Sequence, residues 1–458
     1  MSEYHGGRAS PRRRRGLIGG AVAALALAAA VALVYLNSGP EETPPVLLGA
    51  PLRLAAADGD ALFVLTTHQR HLVVSARGNT RRTRAVRYLD LWRFDAATAR
   101  PVWRRRLRTE REGRAAPAAR GARLLGAQGG TLWVQAGGPL AVAAADGRPI
   151  GDADTIAARS PALRDAMPTE ARYVVLADDG LRITATDASV HRVDPATLVA
   201  QRVAAVPGAA PPVVRPGAWT PQSAVAFATR GLDIPGRWLG VLSAEEGERF
   251  RGRVAAVTAG LAGDRRERAY HDARLLAPPD DDGLQVPTRV RLWGARVDRV
   301  SAAPPDWPAN FPDRWGTRAA YADVAPLPES PDFLQGGLLH AGGARGAPLL
   351  VRGPDGVLVL HRDRLGVDGR LQLTRVAGPG GRPVWDARLP LSIVQSVLPG
   401  PPDRRTIVLV GREYATYDRA ARAPDGAEHE QIVGVDVATG AVRAYDLTAQ
   451  GPAEPVRP

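Results

Sequence analysis

The residues best suited to chemistry are arginines. Fourteen lie between Arg70 and Arg114, against only Asp90, Asp95, Glu110 and Glu112. A guanidinium is a planar fork that pairs bidentately with carboxylate or phosphate. Arg81, Arg82, Arg84, Arg87, Arg104, Arg105 and Arg106 are therefore candidate contacts for a protein or other anionic partner, or for anionic headgroups. A charged, solvated strand edge is the plainer use of such a run. A second group is aromatic. Trp307, Phe311 and Trp315 sit in a Pro-rich stretch, 302–332, either as partner anchors or as pins for a long loop. Asp280, Asp281 and Asp282 have the oxygen chemistry of a calcium site but not EF-hand spacing, and a solvated acidic turn explains them more simply. His68 and His71 are three apart. On a strand they point to opposite faces and do not share a metal.

Other chemistries are excluded by composition. There is no cysteine, so disulfides, thiolate metal sites and a cysteine nucleophile are impossible. The 60 basic residues are all arginine, so no lysine-bearing phosphate loop exists. No Gly-x-Ser-x-Gly elbow and no His-Glu-x-x-His occurs.

These residues need elements to hold them. The chain has 458 residues and a formal charge of +13. Residues 1–15 form a basic tail with Arg8 and Arg12–Arg15. Residues 16–36 are an uncharged run with the length to cross a bilayer, which takes about 20 residues. The positive-inside rule then predicts a signal anchor in a bacterial inner membrane, with the C-terminal domain periplasmic. A cleaved signal peptide is the alternative, and it exports the domain equally. Nucleic acid is not expected as a partner of an exported domain. A linker, 37–45, contains Pro40, Pro44 and Pro45.

From Val46 to Leu447 short apolar runs recur between Gly, Pro, Asp and Asn. Ala61–Thr66, Thr131–Gln135, Val357–His361 and Thr406–Val410 are examples, and they read as strands. Asp154–Met167 is the best short helix, Ser243–Gly260 is ambiguous, and 448–458 reads as a flexible tail. One turn recurs. Asp95 with Thr98 precedes Trp103, Asp146-Gly147 is a shortened copy, and Asp194 with Thr197 is another. Gly378–Gly381 precedes Trp385, and Asp436, Thr439 and Gly440 precede Tyr445. The Asp side chain caps backbone N–H groups and Gly supplies positive φ. Asp95, Asp146 and Asp194 are 51 and 48 residues apart, which is the length of a four-stranded blade. The periodicity breaks over about 260–346, which reads as an irregular insertion.

The Asp-x-x-Thr-Gly-x-x-x-Trp element resembles the repeat of PQQ-type β-propellers, which include quinoprotein dehydrogenases and a non-enzymatic outer-membrane assembly lipoprotein. The resemblance implies an all-β, seven- or eight-bladed propeller in which repeat Asp and Trp join blades. An array of β-sandwiches is the other arrangement. Such dehydrogenases commonly use vicinal cysteines, absent here, so no PQQ is expected. Ala99 and Ala444 depart from the Gly and Trp of the repeat. The expected function is binding or scaffolding for an envelope protein or polymer. The alternatives are an envelope hydrolase with carboxylates at the propeller mouth, and a ligand sensor.

Overall fold

Strands whose residues alternate between two apolar surroundings need a partner on each face. This alternation organises the computed structural model. It describes residues 42–56, 59–77, 80–111, 121–168, 170–177, 179–204, 228–229, 231–234, 237–261, 288–300, 318–342, 348–350, 352–353, 356–365, 369–398, 405–413, 417–418, 423–424 and 428–452. The chain divides into two compact units. One holds 1–43, 68–88 and 109–115, and the other holds the rest.

The larger unit is all-β, built of antiparallel four-stranded runs. Sheet I comprises Val46–Ala56, Gly59–Arg77, Thr80–Asp95 and Arg100–Arg111 in that order. Its last three strands also contribute residues to the smaller unit. Sheet II comprises Arg123–Gln128, Thr131–Gln135, Pro139–Ala143 and Pro149–Asp152. Sheet III comprises Val174–Ala177, Gly180–Thr184, Val190–Val193 and Ala200–Val203. Sheet IV comprises Gly231–Ile234, Arg237–Leu242, Arg289–Val300 and Arg318–Pro326. Sheet V comprises Phe333–Gly342, Gly356–Arg362, Leu371–Ala377 and Arg382–Arg388, joined to sheet IV by two residue pairs. Sheet VI comprises Ile393–Leu398, Thr406–Glu413, His429–Asp436 and Val442–Asp446, with a short fifth strand, Gly451–Pro452.

The cores follow from the alternation. Ala61, Phe63 and Leu65 of sheet I meet Leu132 and Val134 of sheet II, while Leu62 and Val64 meet Val410 and Ile432 of sheet VI. Trp133 of sheet II turns the other way, onto Leu181 and Ile183 of sheet III. Leu409 and Val433 of sheet VI meet Leu358 and Leu373 of sheet V. Val357 and Val359 of sheet V meet Leu239 and Leu292 of sheet IV. Sheets III, II, I, VI, V and IV thus pack face to face in that order, and the first sheet in sequence lies against the last. The first strands of sheets III, II, I, VI and V touch in the same order. Each fully buried Leu or Val side chain contributes about 1.5–3 kcal/mol.

Helix α1, Ala153–Arg159, starts where Asp152 accepts from Thr155 N at 2.9 Å. Helix α2, Ala244–Leu261, starts with a capping box: Ser243 N donates to Glu246, and Glu246 N donates to Ser243 Oγ. Phe250 of α2 packs on Trp238 and Tyr321 of sheet IV, with ring centroids 5.0 and 5.5 Å apart.

In sheets I, III and VI the turn between third and fourth strands is capped by an Asp. Asp95 Oδ1 accepts from Thr98 N and Oγ1 at 2.7 and 2.6 Å. Asp194 accepts from Ala196 N and Thr197 N, and Asp436 from Ala438 N and Thr439 N. The last turn residue has positive φ in each of five sheets: Ala99 +54°, Gly147 +73°, Leu198 +58°, Gly381 +79° and Gly440 +76°. Two turns receive the same pair of side chains from the preceding sheet. Trp103 Nε1 and Arg93 Nη1 donate to Ala145 O at 2.8 and 3.0 Å. Trp385 Nε1 donates to Val437 O and Arg375 Nη1 to Ala438 O, both at 3.2 Å. The Trp ring packs against the turn glycine. A Cβ on Gly147 would fall 2.8 Å from Trp103, and one on Gly440 2.7 Å from Trp385.

In the smaller unit Thr43 and Gln69 exchange backbone and hydroxyl hydrogen bonds, and His68 stacks on Tyr88 at 4.9 Å.

Several expectations need correction. Inner-membrane localisation is not upheld: among the described residues no helix is long and apolar enough to cross a membrane. The segment 16–36 that suggested it lies outside the described residues, as do the tail 1–15 and most of the linker. The 260–346 stretch is not simply an insertion, because Arg289–Val300, Arg318–Pro326 and Phe333–Gly342 within it are strands. Arginines interrupt the apolar alternation there and hid it. The 448–458 tail begins ordered, with Gly451–Pro452 paired to Tyr445 and Asp446. Further short strands, Ala228–Thr229, Pro348–Leu350, Arg352–Gly353 and the pair Tyr417–Asp418 with Ala423–Pro424, lie outside these six runs.

Candidate functional site

The outer strand of sheet I, Arg100–Arg111, carries six arginines and one acid, Glu110. Its alternation sends successive residues to opposite faces. Trp103 and Leu107 pack towards sheet II, and Arg105 Nε on the same face donates to Asp146 O at 3.0 Å. Arg104 and Arg106 turn the other way, onto Asp90 of the neighbouring strand. Asp90 is wholly buried. Its Oδ2 accepts from Arg104 Nε and Nη2 at 2.9 and 2.5 Å, and its Oδ1 from Arg106 Nε at 3.1 Å. Arg104 also lies over the Trp92 ring at 4.5 Å and donates to Gln450 at 2.8 Å. A carboxylate removed from water needs such pairing. Asp90 therefore pre-orders two guanidinium groups, and Arg100, Arg105 and Arg106 are all exposed.

Sheet VI carries the second charged cluster, on the face it turns to sheet I. Glu430 is 3% exposed. One oxygen accepts from Arg412 Nε at 2.9 Å, and the other is buried without a hydrogen-bond partner. Burial pushes its carboxyl up to about 7, against the opposing pull of Arg412 and with a smaller push from Glu428. The Leu47 backbone N–H of sheet I favours the anion. Arg412 also pairs with Glu428 at 2.5 Å. On the opposite face Arg370 binds Glu413 at 2.6 Å and Gln431 binds it at 2.9 Å. His429 Nδ1 and Asp446 Oδ2 are 2.6 Å apart.

Two hydroxyl–imidazole–carboxylate groups invite a hydrolase reading, and their polarity argues against it. Ser189 Oγ donates to Asp187 at 2.6 Å and lies 2.8 Å from His191 Nε2. A hydroxyl that gives its proton to a carboxylate accepts one from the imidazole. His191 is then a donor and cannot act as the base that activates Ser189. The Ser189 hydrogen bond holds the Asp187 carboxyl below its usual range, so it stays an acceptor. Thr374 repeats the arrangement, donating to Asp386 at 2.8 Å beside His361 Nε2 at 2.7 Å. The Thr374 group ties three neighbouring strands together, while the Ser189 group braces the turn before Val190–Val193.

An open groove of about 340 Å³ lies on sheet IV, lined by Arg237, Gly294, Arg296, Asp323 and Leu327 among others. Its charged groups have partners within the chain. Arg237 Nη2 donates to Pro379 O at 3.1 Å, and Arg296 pairs with Asp323 at 3.2 Å.

The sequence candidates fall in different places. Arg104, Arg105 and Arg106 share one strand, but two of the three are committed to Asp90. Arg84 is exposed in the smaller unit, and Arg87 there faces the Gln69 amide. Arg81 and Arg82 lie in the Thr80–Asp95 strand, and their side chains are outside the described residues. Trp307, Phe311, Trp315 and Asp280–Asp282 are also outside them. No group of three metal-ligating side chains occurs among the described residues, and His68 is instead 3.0 Å from Glu42. Sequence reasoning missed Asp90 and Glu430. The available signal for Asp90 was a lone acid in an apolar strand, Leu89-Asp90-Leu91-Trp92, while Glu430 sits in the polar run Glu428-His429-Glu430-Gln431 and gave none.

No protein-family model and no curated protein matches the chain. A solved structure that it resembles is a putative 6-phosphogluconolactonase from Bacteroides fragilis NCTC 9343. The identity is 11% over 87% of this chain and 84% of that one, with a TM-score of 0.20. A likeness at that score supports neither a shared fold nor a shared activity.

Proposed function

We propose that the chain is a non-catalytic β-propeller of the PQQ-like repeat type that binds an anionic partner along the outer strand of sheet I. Three observations support the propeller. Sheets I, II, V and VI bury both faces against a neighbouring sheet, the first sheet packs on the last, and first strands touch in sequence. The turn locks of Trp103 and Trp385 are what a blade-to-blade repeat supplies. The polarity of the Ser189 and Thr374 groups favours structural over catalytic use.

The single observation that carries the binding role is the stretch Arg100–Arg108, with five arginines and no acid, on a strand whose outer side no other strand pairs with among the described residues. The test is retention on immobilised poly-L-glutamate. Wild-type protein is expected to elute at a higher salt concentration than the double variant Arg100→Ser/Arg105→Ser. These two are the right choice because neither pairs with Asp90. Elution at the same salt would refute the assignment.

A further inference from the structure

The outer strand of sheet I differs from its counterparts in length as well as charge. Arg100–Arg111 has 12 residues, while the fourth strands of sheets II, III, IV, V and VI have 4, 4, 9, 7 and 5. An exposed edge presents unpaired N–H and C=O groups to any added strand, and proteins usually keep such edges short or covered. Among the described residues no strand pairs with the outer side of Arg100–Arg111. Sheet VI has already taken an extra strand at the same place, where Gly451–Pro452 pairs outside Val442–Asp446. The architecture therefore accepts a fifth strand.

Resting on the binding role proposed above, we infer that the partner is an extended acidic segment of a protein, which adds to Arg100–Arg108 as a fifth antiparallel or parallel strand. Backbone pairing supplies affinity and the arginines supply selectivity. Opposite charges facing each other across strands contribute about 0.2–1 kcal/mol per pair. Arg104 and Arg106 are pre-ordered on one face by Asp90, and Arg105 is held on the other by Asp146 O. An incoming strand with acids at alternate positions meets either row. Nine residues at about 3.3 Å each make a footprint of about 30 Å, which an octapeptide nearly fills.

The experiment uses the full chain and three probes. The first is a fluorescent octapeptide of alternating Glu and Thr. The second is the same peptide N-methylated at every other residue, which keeps the charge and removes one edge of its hydrogen bonds. The third is heparin. The inference expects the first to bind, N-methylation to weaken it at least tenfold, and amide hydrogen exchange over 100–108 to slow at least tenfold when it binds. Equal binding of both peptides overturns strand addition and leaves the anionic-partner reading standing. Heparin binding without peptide binding does the same in favour of a polymer. If none of the three binds, both readings fall.

Discussion

Glu430 gives the sharpest prediction of the structure. Its carboxyl titrates near 7 when folded and near 4.5 when exposed, so between these values the folded protein holds one proton more than the unfolded chain. Stability falls as pH rises wherever the folded state binds more protons. The loss begins above about pH 4.5 and is complete above about pH 7. A shift of this size corresponds to about 3 kcal/mol, since each pH unit is worth about 1.4 kcal/mol. The physical cause is an anion confined between sheets VI and I with one oxygen unpaired. Glu430→Gln removes the titration and keeps the shape. Urea unfolding at pH 5 and pH 8 measures the effect for both proteins. The difference in stability between the two pH values should be about 3 kcal/mol larger in the wild type. Equal pH dependence in the two proteins would refute the reasoning, and so would a wild type that gains stability over this window through Glu430.

Other consequences follow from the same contacts. Asp90→Ala removes the shared hydrogen-bond acceptor of the partly exposed Arg104 and Arg106 guanidinium groups and should cost about 1–3 kcal/mol in urea unfolding. Gly440→Ala and Gly378→Ala form a controlled pair, because both residues have positive φ near +75° but only Gly440 packs against a Trp ring. Gly378→Ala should cost about 1 kcal/mol from backbone strain, and Gly440→Ala clearly more, with Trp385 fluorescence changed only in the second. Trp385→Phe keeps most of the ring and loses the hydrogen bond to Val437 O, a cost of about 1 kcal/mol by the same assay.

What could be read from the sequence was local. The short continuous apolar runs Ala61–Thr66 and Thr406–Val410, bounded by turn residues, mark strands buried on both faces. The Asp95, Asp194 and Asp436 turns are legible because side chain and capped N–H lie within three residues. The positive φ of Ala99 and Leu198 was not legible, since neither residue favours it and the surrounding turn imposes it. The partnership of Arg104 and Arg106 with Asp90 needs the pairing of two strands 14 and 16 residues apart. The burial of Glu430 needs sheet I to close over sheet VI from the far end of the chain. Strands of sheet IV were hidden because Arg289, Arg291, Arg296 and Arg299 interrupt the apolar pattern while their neighbours Leu292 and Trp293 are buried.

The most direct test of the central claim is binding of poly-L-glutamate to the wild type and to Arg100→Ser/Arg105→Ser, followed by anisotropy over a range of salt concentrations. Removing two exposed charges, each worth up to about 1 kcal/mol, should weaken binding roughly tenfold and flatten its salt dependence. Unchanged affinity and salt dependence in the double variant would contradict the assignment of the sheet I edge as the binding surface.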